Sequence, residues 1–169
     1  MPTGADRLAD CLLVEGGRVV AAFRNLAPED WQRPICTEGT RWTAHELLAH
    51  LVSVELGKHT LLDTVVVGGQ SASESHDADI ENAHRVPVLA ALPVADLLRQ
   101  FVEARRANVQ RVGCMHANDL DCAARGPLRG NVAVEEIVTA ICRHDQTHLR
   151  ELRAALESSC SQDAHEPAP

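Results

Sequence analysis

The sequence predicts an all-α protein: a four-helix bundle with a long crossover between helices 2 and 3, in up-down-down-up order. Three observations predict it. Four segments repeat apolar residues at helical spacing, no segment keeps a period of two over the length of a strand, and the second connection is too long for a tight turn. With 169 residues and 45% hydrophobic content the chain can bury one core. Residues 1–157 are therefore read as a single bundle, and the polar, proline-containing 158–169, "SSCSQDAHEPAP", as a disordered tail.

The first helix, over about residues 5–26, rests on Leu8, Leu12, Val19, Phe23 and Leu26, with Gly16 and Gly17 weakening its middle. "LAPEDWQRPICTEGTRW" follows as a loop whose tryptophans are placed to cover one end of the core. Helix 2 opens with a capping box, Thr43 and Glu46, and a hydrophobic staple, Trp42 against Leu47. Its stripe is Leu47, Leu51, Val54, Leu61 and Val65, and it stops at Gly68 and Gly69.

The crossover, "GGQSASESHDADIENAHRVPVLAALP", is rich in Ser, Asp, Gly and Pro and shows no sustained period. Helix 3 starts near Pro93 and carries Leu97, Leu98, Phe101 and Ala104 toward Val112. A second loop, "HANDLDCAARGPLRGN", leads to helix 4 over about 132–157, with Ile137, Ile141, Leu152 and Ala155 on one stripe.

Composition excludes several classes. A formal net charge of −8, from 16 basic and 24 acidic residues, argues against nucleic acid and anionic membranes as partners. There is no tyrosine, and Phe23, Trp31, Trp42 and Phe101 are the whole aromatic set, too few for a base-stacking platform. No stretch has the length of a membrane span or the shape of a signal peptide, which gives a cytoplasmic expectation. Six cysteines without a C-x-x-C pair read as reduced packing thiols. Homodimers are common among soluble bundles, and a homodimer is compatible with this composition.

His144 and His148 stand four apart in "ICRHDQTHLREL", each within roughly 20° of the centre of the helix 4 stripe. Such neighbours lie about 5–6 Å apart and can share one metal ion. Buried imidazoles without partners cost on the order of 1–3 kcal/mol, so two on one stripe need a reason. A third ligand must come from another helix. His50 lies at the edge of the helix 2 stripe, whereas His59 falls on the far side and His45, in the first turn, should be exposed. The plain alternative is three core histidines bonded to carbonyls or to one another.

A tryptophan-led "RWTAHELLAHLVSVE", followed about 90 residues later by "RHDQTHLREL", resembles the DinB-like superfamily, which also contains the mycothiol-dependent maleylpyruvate isomerases. The resemblance spans most of residues 5–157. It implies that His50, His144 and His148 bind a divalent cation, and that the protein is akin to S-transferases using mycothiol, bacillithiol or a similar low-molecular-weight thiol. Asn82 is a loose match to the family's crossover asparagine. Isomerase-type members carry glutamate where this chain has His144, which points to the DinB-type branch.

Three neutral imidazoles leave coordination positions open, the arrangement of a catalytic site. Zinc or nickel is the expected metal, a small electrophile the expected substrate, and a thiol the expected co-substrate. Glu151 and Asp145 are candidates to hold the outer ring nitrogens, or else are solvated charges. Two other readings stand beside transfer: a metal-dependent hydrolase, and a non-catalytic, stress-related metal- or ligand-binding bundle. No catalytic or thiol-binding residue is assigned from sequence.

Overall fold

The computed structural model describes residues 1–37, 40–68, 78–121, 123–126 and 130–163. Four long helices make the bundle: α1 (Gly4–Arg24), α2 (Ala44–Gly68), α4 (Val94–Gly113) and α6 (Val134–Asp163). Two short helices, α3 (Ala78–Leu89) and α5 (Ala117–Leu120), and two hairpins occupy the connections. None of the described helices is long and apolar enough to cross a membrane.

Helix starts follow from local bonds. Thr3 caps α1, its Oγ1 accepting from Asp6 N at 3.1 Å while Asp6 Oδ2 accepts from Thr3 N at 2.8 Å. The box predicted for α2 is present: Glu46 Oε2 accepts from Thr43 N at 2.7 Å, and Thr43 Oγ1 accepts from Glu46 N at 3.1 Å. Pro93 is the residue before α4 rather than its first turn, and donates no N–H that would go unpaired there.

The core falls into two apolar clusters, and their membership gives the helix directions. One gathers Ala5, Leu8 and Leu12 of α1, Leu62 of α2, Val112 of α4, and Val134, Ile137 and Ile141 of α6. The other gathers Val19 and Phe23, Leu47, Leu48, Leu51 and Val52, Leu97 and Phe101, and Leu149 and Leu152. Thus α1 and α6 run from the first cluster to the second, and α2 and α4 run from the second to the first. This is the up-down-down-up order. The described stripe of α2 uses Leu62; the side chains of Leu61 and Val65 lie outside the described residues.

The structure departs from the sequence reading in the connections. The first loop contains a 3-10 turn (Pro28–Gln32) and a hairpin of β1 (Pro34–Thr37) and β2 (Thr40–Thr43), with Ile35 opposite Trp42. The second contains β3 (Ala123–Gly126) paired with β4 (Gly130–Ala133). Each strand has four residues, too short for alternation to stand out in sequence. As expected, Trp31 and Trp42 pack against the second cluster, where the rings of Trp31 and Phe23 lie 5.9 Å apart.

The crossover, read as irregular, holds α3. This helix contains Pro87 and buries Val86 in the second cluster, with Ala90 N donating to Val86 O at 2.8 Å. Among its described side chains, Val86 and Leu89 make the apolar contacts, too few to show a period. At the other end α6 continues to Asp163, into the segment expected to be disordered, and Ser158 Oγ donates to Ala154 O at 2.7 Å, a bond that lets serine remain helical. Residues 164–169 lie outside the described residues.

Candidate metal centre

Between the two apolar clusters each long helix carries polar residues on its inward face. These are Glu15 on α1, Glu55 on α2, Arg105 and Asn108 on α4, and Asp145 and His148 on α6, all buried. The histidine group lies at this level. The capping box fixes where α2 begins, and that sets which way His50 points, less than two turns later.

The structure brings His50, His144 and His148 together. His50 Nε2 lies 2.9 Å from His144 Nε2, which lies 3.0 Å from His148 Nε2. One ligand nitrogen from each ring falls within 4.8 Å of the others, and no other group of this kind occurs among the described residues. His50 and His148 are 6% and 7% exposed, so water does little to screen the crowding.

The chemistry of these contacts tests the alternative of mutual hydrogen bonding. An imidazole nitrogen carries one proton or one lone pair, never both. His144 Nε2 therefore cannot make two good hydrogen bonds, one to each neighbouring Nε2. Three lone pairs directed at one cation remove the conflict, and the protons then sit on the Nδ1 atoms. His148 Nδ1 is placed for this, donating to Glu151 Oε2 at 2.8 Å. His50 Nδ1 and His144 Nδ1 are buried without a hydrogen-bond partner among the described residues.

The surroundings keep His50 and His144 neutral. Burial, with a smaller contribution from the nearby His148, lowers His50 to about 3. Burial followed by the charges of His148 and His50 lowers His144 to about 2. Trp42 forms a wall over the group, its ring 4.5 Å from that of His50 and 6.4 Å from that of His148.

Of the two carboxylates proposed to orient the rings, Glu151 does so. Asp145 is buried and accepts from Arg105 Nη2 at 2.7 Å instead. His59 is absent from the group, as expected; its Nδ1 lies 3.3 Å from Asn108 Oδ1. His45 is not exposed as expected. It is half-buried, edge-on to Trp31, with Nε2 3.0 Å from Leu92 O, because the turn between α3 and α4 covers the start of α2. The side chain of Asn82 lies outside the described residues.

Sequence reasoning missed Glu55, Arg105 and Asn108. A signal existed: Glu55 follows Leu51 by four residues and Arg105 follows Phe101 by four, so both are charged residues on core stripes. Among the described residues, Cys11 is half-buried, Cys142 buried, and Cys36 and Cys114 exposed, and no cysteine joins the histidine group.

A family model described as the DinB superfamily matches residues 14–152. Among solved structures, the chain is similar to YfiT from Bacillus subtilis, described as a probable metal-dependent hydrolase with an unusual four-helix bundle topology. The two share 11% identity and a TM-score of 0.76, over 92% of this chain and 87% of that one. It is also similar to a mycothiol-dependent maleylpyruvate isomerase, at 12% identity and a TM-score of 0.72, and to a histidine-to-alanine variant of such an isomerase at 0.74. Both matches cover 90% of this chain and 63% of the isomerase chain, so this chain spans less than two thirds of the isomerase's length. At these identities the likeness is one of fold. No curated protein sequence matches the chain.

Proposed function

Because this chain belongs to the DinB superfamily, we propose that His50, His144 and His148 hold one divalent cation, zinc or nickel, in a thiol-dependent S-transferase acting on a small electrophile. The observation that carries the reading is the pair of contacts at His144 Nε2, at 2.9 and 3.0 Å, which cannot both be hydrogen bonds. When bound, the cation supplies Lewis acidity that lowers the pKa of a thiol or water at its open positions.

The residues of the chain do the rest. Burial keeps His50 and His144 unprotonated and ready as ligands. Glu151 fixes the His148 ring in one tautomer, and Trp42 shields His50 from solvent. With no cysteine in the group among the described residues, the reacting sulfur is brought by a small thiol of the mycothiol or bacillithiol type. Support comes from the isomerase of similar fold, which is described as mycothiol-dependent. The reading carries with it a cytoplasmic location, where such thiols stay reduced, and no role for nucleic acid.

A second reading, metal-dependent hydrolysis, is favoured by the three-histidine group and by the description of YfiT, whose fold is similar. One experiment separates the two. Metal-loaded protein is assayed on a panel of small electrophiles and esters with and without added thiol. Turnover that requires the thiol supports transfer, and turnover in its absence supports hydrolysis.

A further inference from the structure

One side chain touches all four long helices. Arg105, on α4 and 4% exposed, donates from Nε and Nη2 to the two carboxylate oxygens of Glu55 on α2, each at 2.8 Å. Its Nη2 also reaches across the bundle to Asp145 Oδ2 on α6 at 2.7 Å, and its Nη1 donates to Leu12 O on α1 at 2.9 Å. Asn108, one turn further along α4, donates to Glu55 Oε2 at 3.0 Å and to Glu55 O at 3.1 Å.

The partners of Arg105 are not distributed at random with respect to the histidines. Asp145 directly follows His144, and Glu55 lies five residues after His50. Helices α2 and α6 meet only briefly in the core, whereas α2 packs along α4 and α6 along α1. The backbones of the two ligand-bearing helices therefore approach each other closely over only a short stretch, although both send side chains into the same apolar clusters. The planar guanidinium, bidentate to one and bonded to the other, ties them together with a geometry that tolerates little sliding.

Stability is a poor reason for this network. A buried ion triad roughly breaks even against well-packed apolar residues of similar size, because all three charges must be desolvated. Space has nevertheless been made for it. Gly16 lies beneath the arginine stem, and a Cβ there would come within 2.9 Å of Arg105 Cγ and 3.3 Å of Cδ. The glycine that weakens α1 in sequence is what lets the arginine lie across the helix.

We propose that Arg105 is a positioning residue for the metal centre, setting through Glu55 and Asp145 the register between the two helices that carry the three imidazoles. This rests on the metal reading above.

Cobalt(II) titration, followed by its d–d absorption, tests both separately. Three variants are compared with the wild type: Gly16→Ala, Arg105→Lys, and the combined Glu55→Leu, Arg105→Met, Asp145→Leu. The combined variant should keep its helical circular dichroism and unfolding midpoint, while cobalt affinity drops about 10- to 100-fold and the band shape changes. Gly16→Ala, which alters no ligand and acts through the Arg105 stem, should shift the spectrum in the same direction. A merely structural arginine would move the midpoint and leave the spectrum of folded protein untouched. Wild-type affinity and band shape in Gly16→Ala and Arg105→Lys overturn the proposal, and these two decide alone if the combined variant does not fold. A wild-type protein that takes up no cobalt overturns the metal reading itself, a distinct result.

Discussion

His50 Nε2 and His144 Nε2 lie 2.9 Å apart although 94 residues separate them in the chain. Two buried imidazoles at that distance, with a third beside them, are worse than apolar residues for folding alone. A shared cation would make the arrangement favourable.

Protein purified without a histidine tag should contain about one equivalent of zinc or nickel. Elemental analysis should find it absent from His148→Ala, and full metal content in that variant would refute the assignment. Metal at about a hundred times its dissociation constant should stabilise the fold by about 2.7 kcal/mol, visible as a higher melting temperature.

Glu151→Gln removes the charge that holds His148 Nδ1 at 2.8 Å but keeps the size of the side chain. Metal affinity should fall about 10- to 100-fold, with little change in the melting temperature of the metal-free protein. Competition with a chromophoric chelator measures the first quantity. An unchanged affinity would show that the ring needs no such anchor.

The metal-free protein should lose stability in acid. His50 and His144 are held to about 3 and about 2 in the folded state, whereas unfolded imidazoles titrate near 6.5. As pH falls below about 6.5 the unfolded chain takes up protons that the folded chain refuses, so stability declines toward pH 3 by about 1.4 kcal/mol per unit for each ring. Asp145 works the other way. Burial pushes its carboxyl up to about 6 against the pull of Arg105, so from about 6 down to the unfolded value of 3.8 its protonation returns part of the loss. Two rings outweigh one carboxyl. Chelated protein should melt lower at pH 5 than at pH 7, and His144→Gln should flatten that dependence; equal melting at both values contradicts the argument.

Thr43→Ala removes the hydroxyl that accepts from Glu46 N at 3.1 Å and donates to Glu46 Oε2 at 2.9 Å. Loss of the cap should cost about 1 kcal/mol in urea denaturation. Because this cap sets the start of the helix that carries His50, metal affinity should fall as well; a variant destabilised but binding normally would separate the cap from the site.

What the sequence determined by itself is what depends on neighbours within a turn or two. The stripes of α1, α4 and α6, the Thr43–Glu46 box and the four-residue spacing of His144 and His148 are local, since helix geometry fixes how residues three and four apart share a face. A second histidine-bearing stripe, with His50 at its edge, was legible for the same reason. The short hairpins and α3 were not, because four residues, or Val86 and Leu89 as the described apolar contacts of α3, make no period.

Only the tertiary structure decided that His50 meets His144, that Asp145 turns to Arg105 rather than to a ring, and that Gly16 makes room for an arginine stem. Periodicity says that a side chain faces inward, but the partner it finds there depends on the relative height and rotation of separate helices. Those are set by packing across the whole bundle, where no spacing along one chain segment can record them.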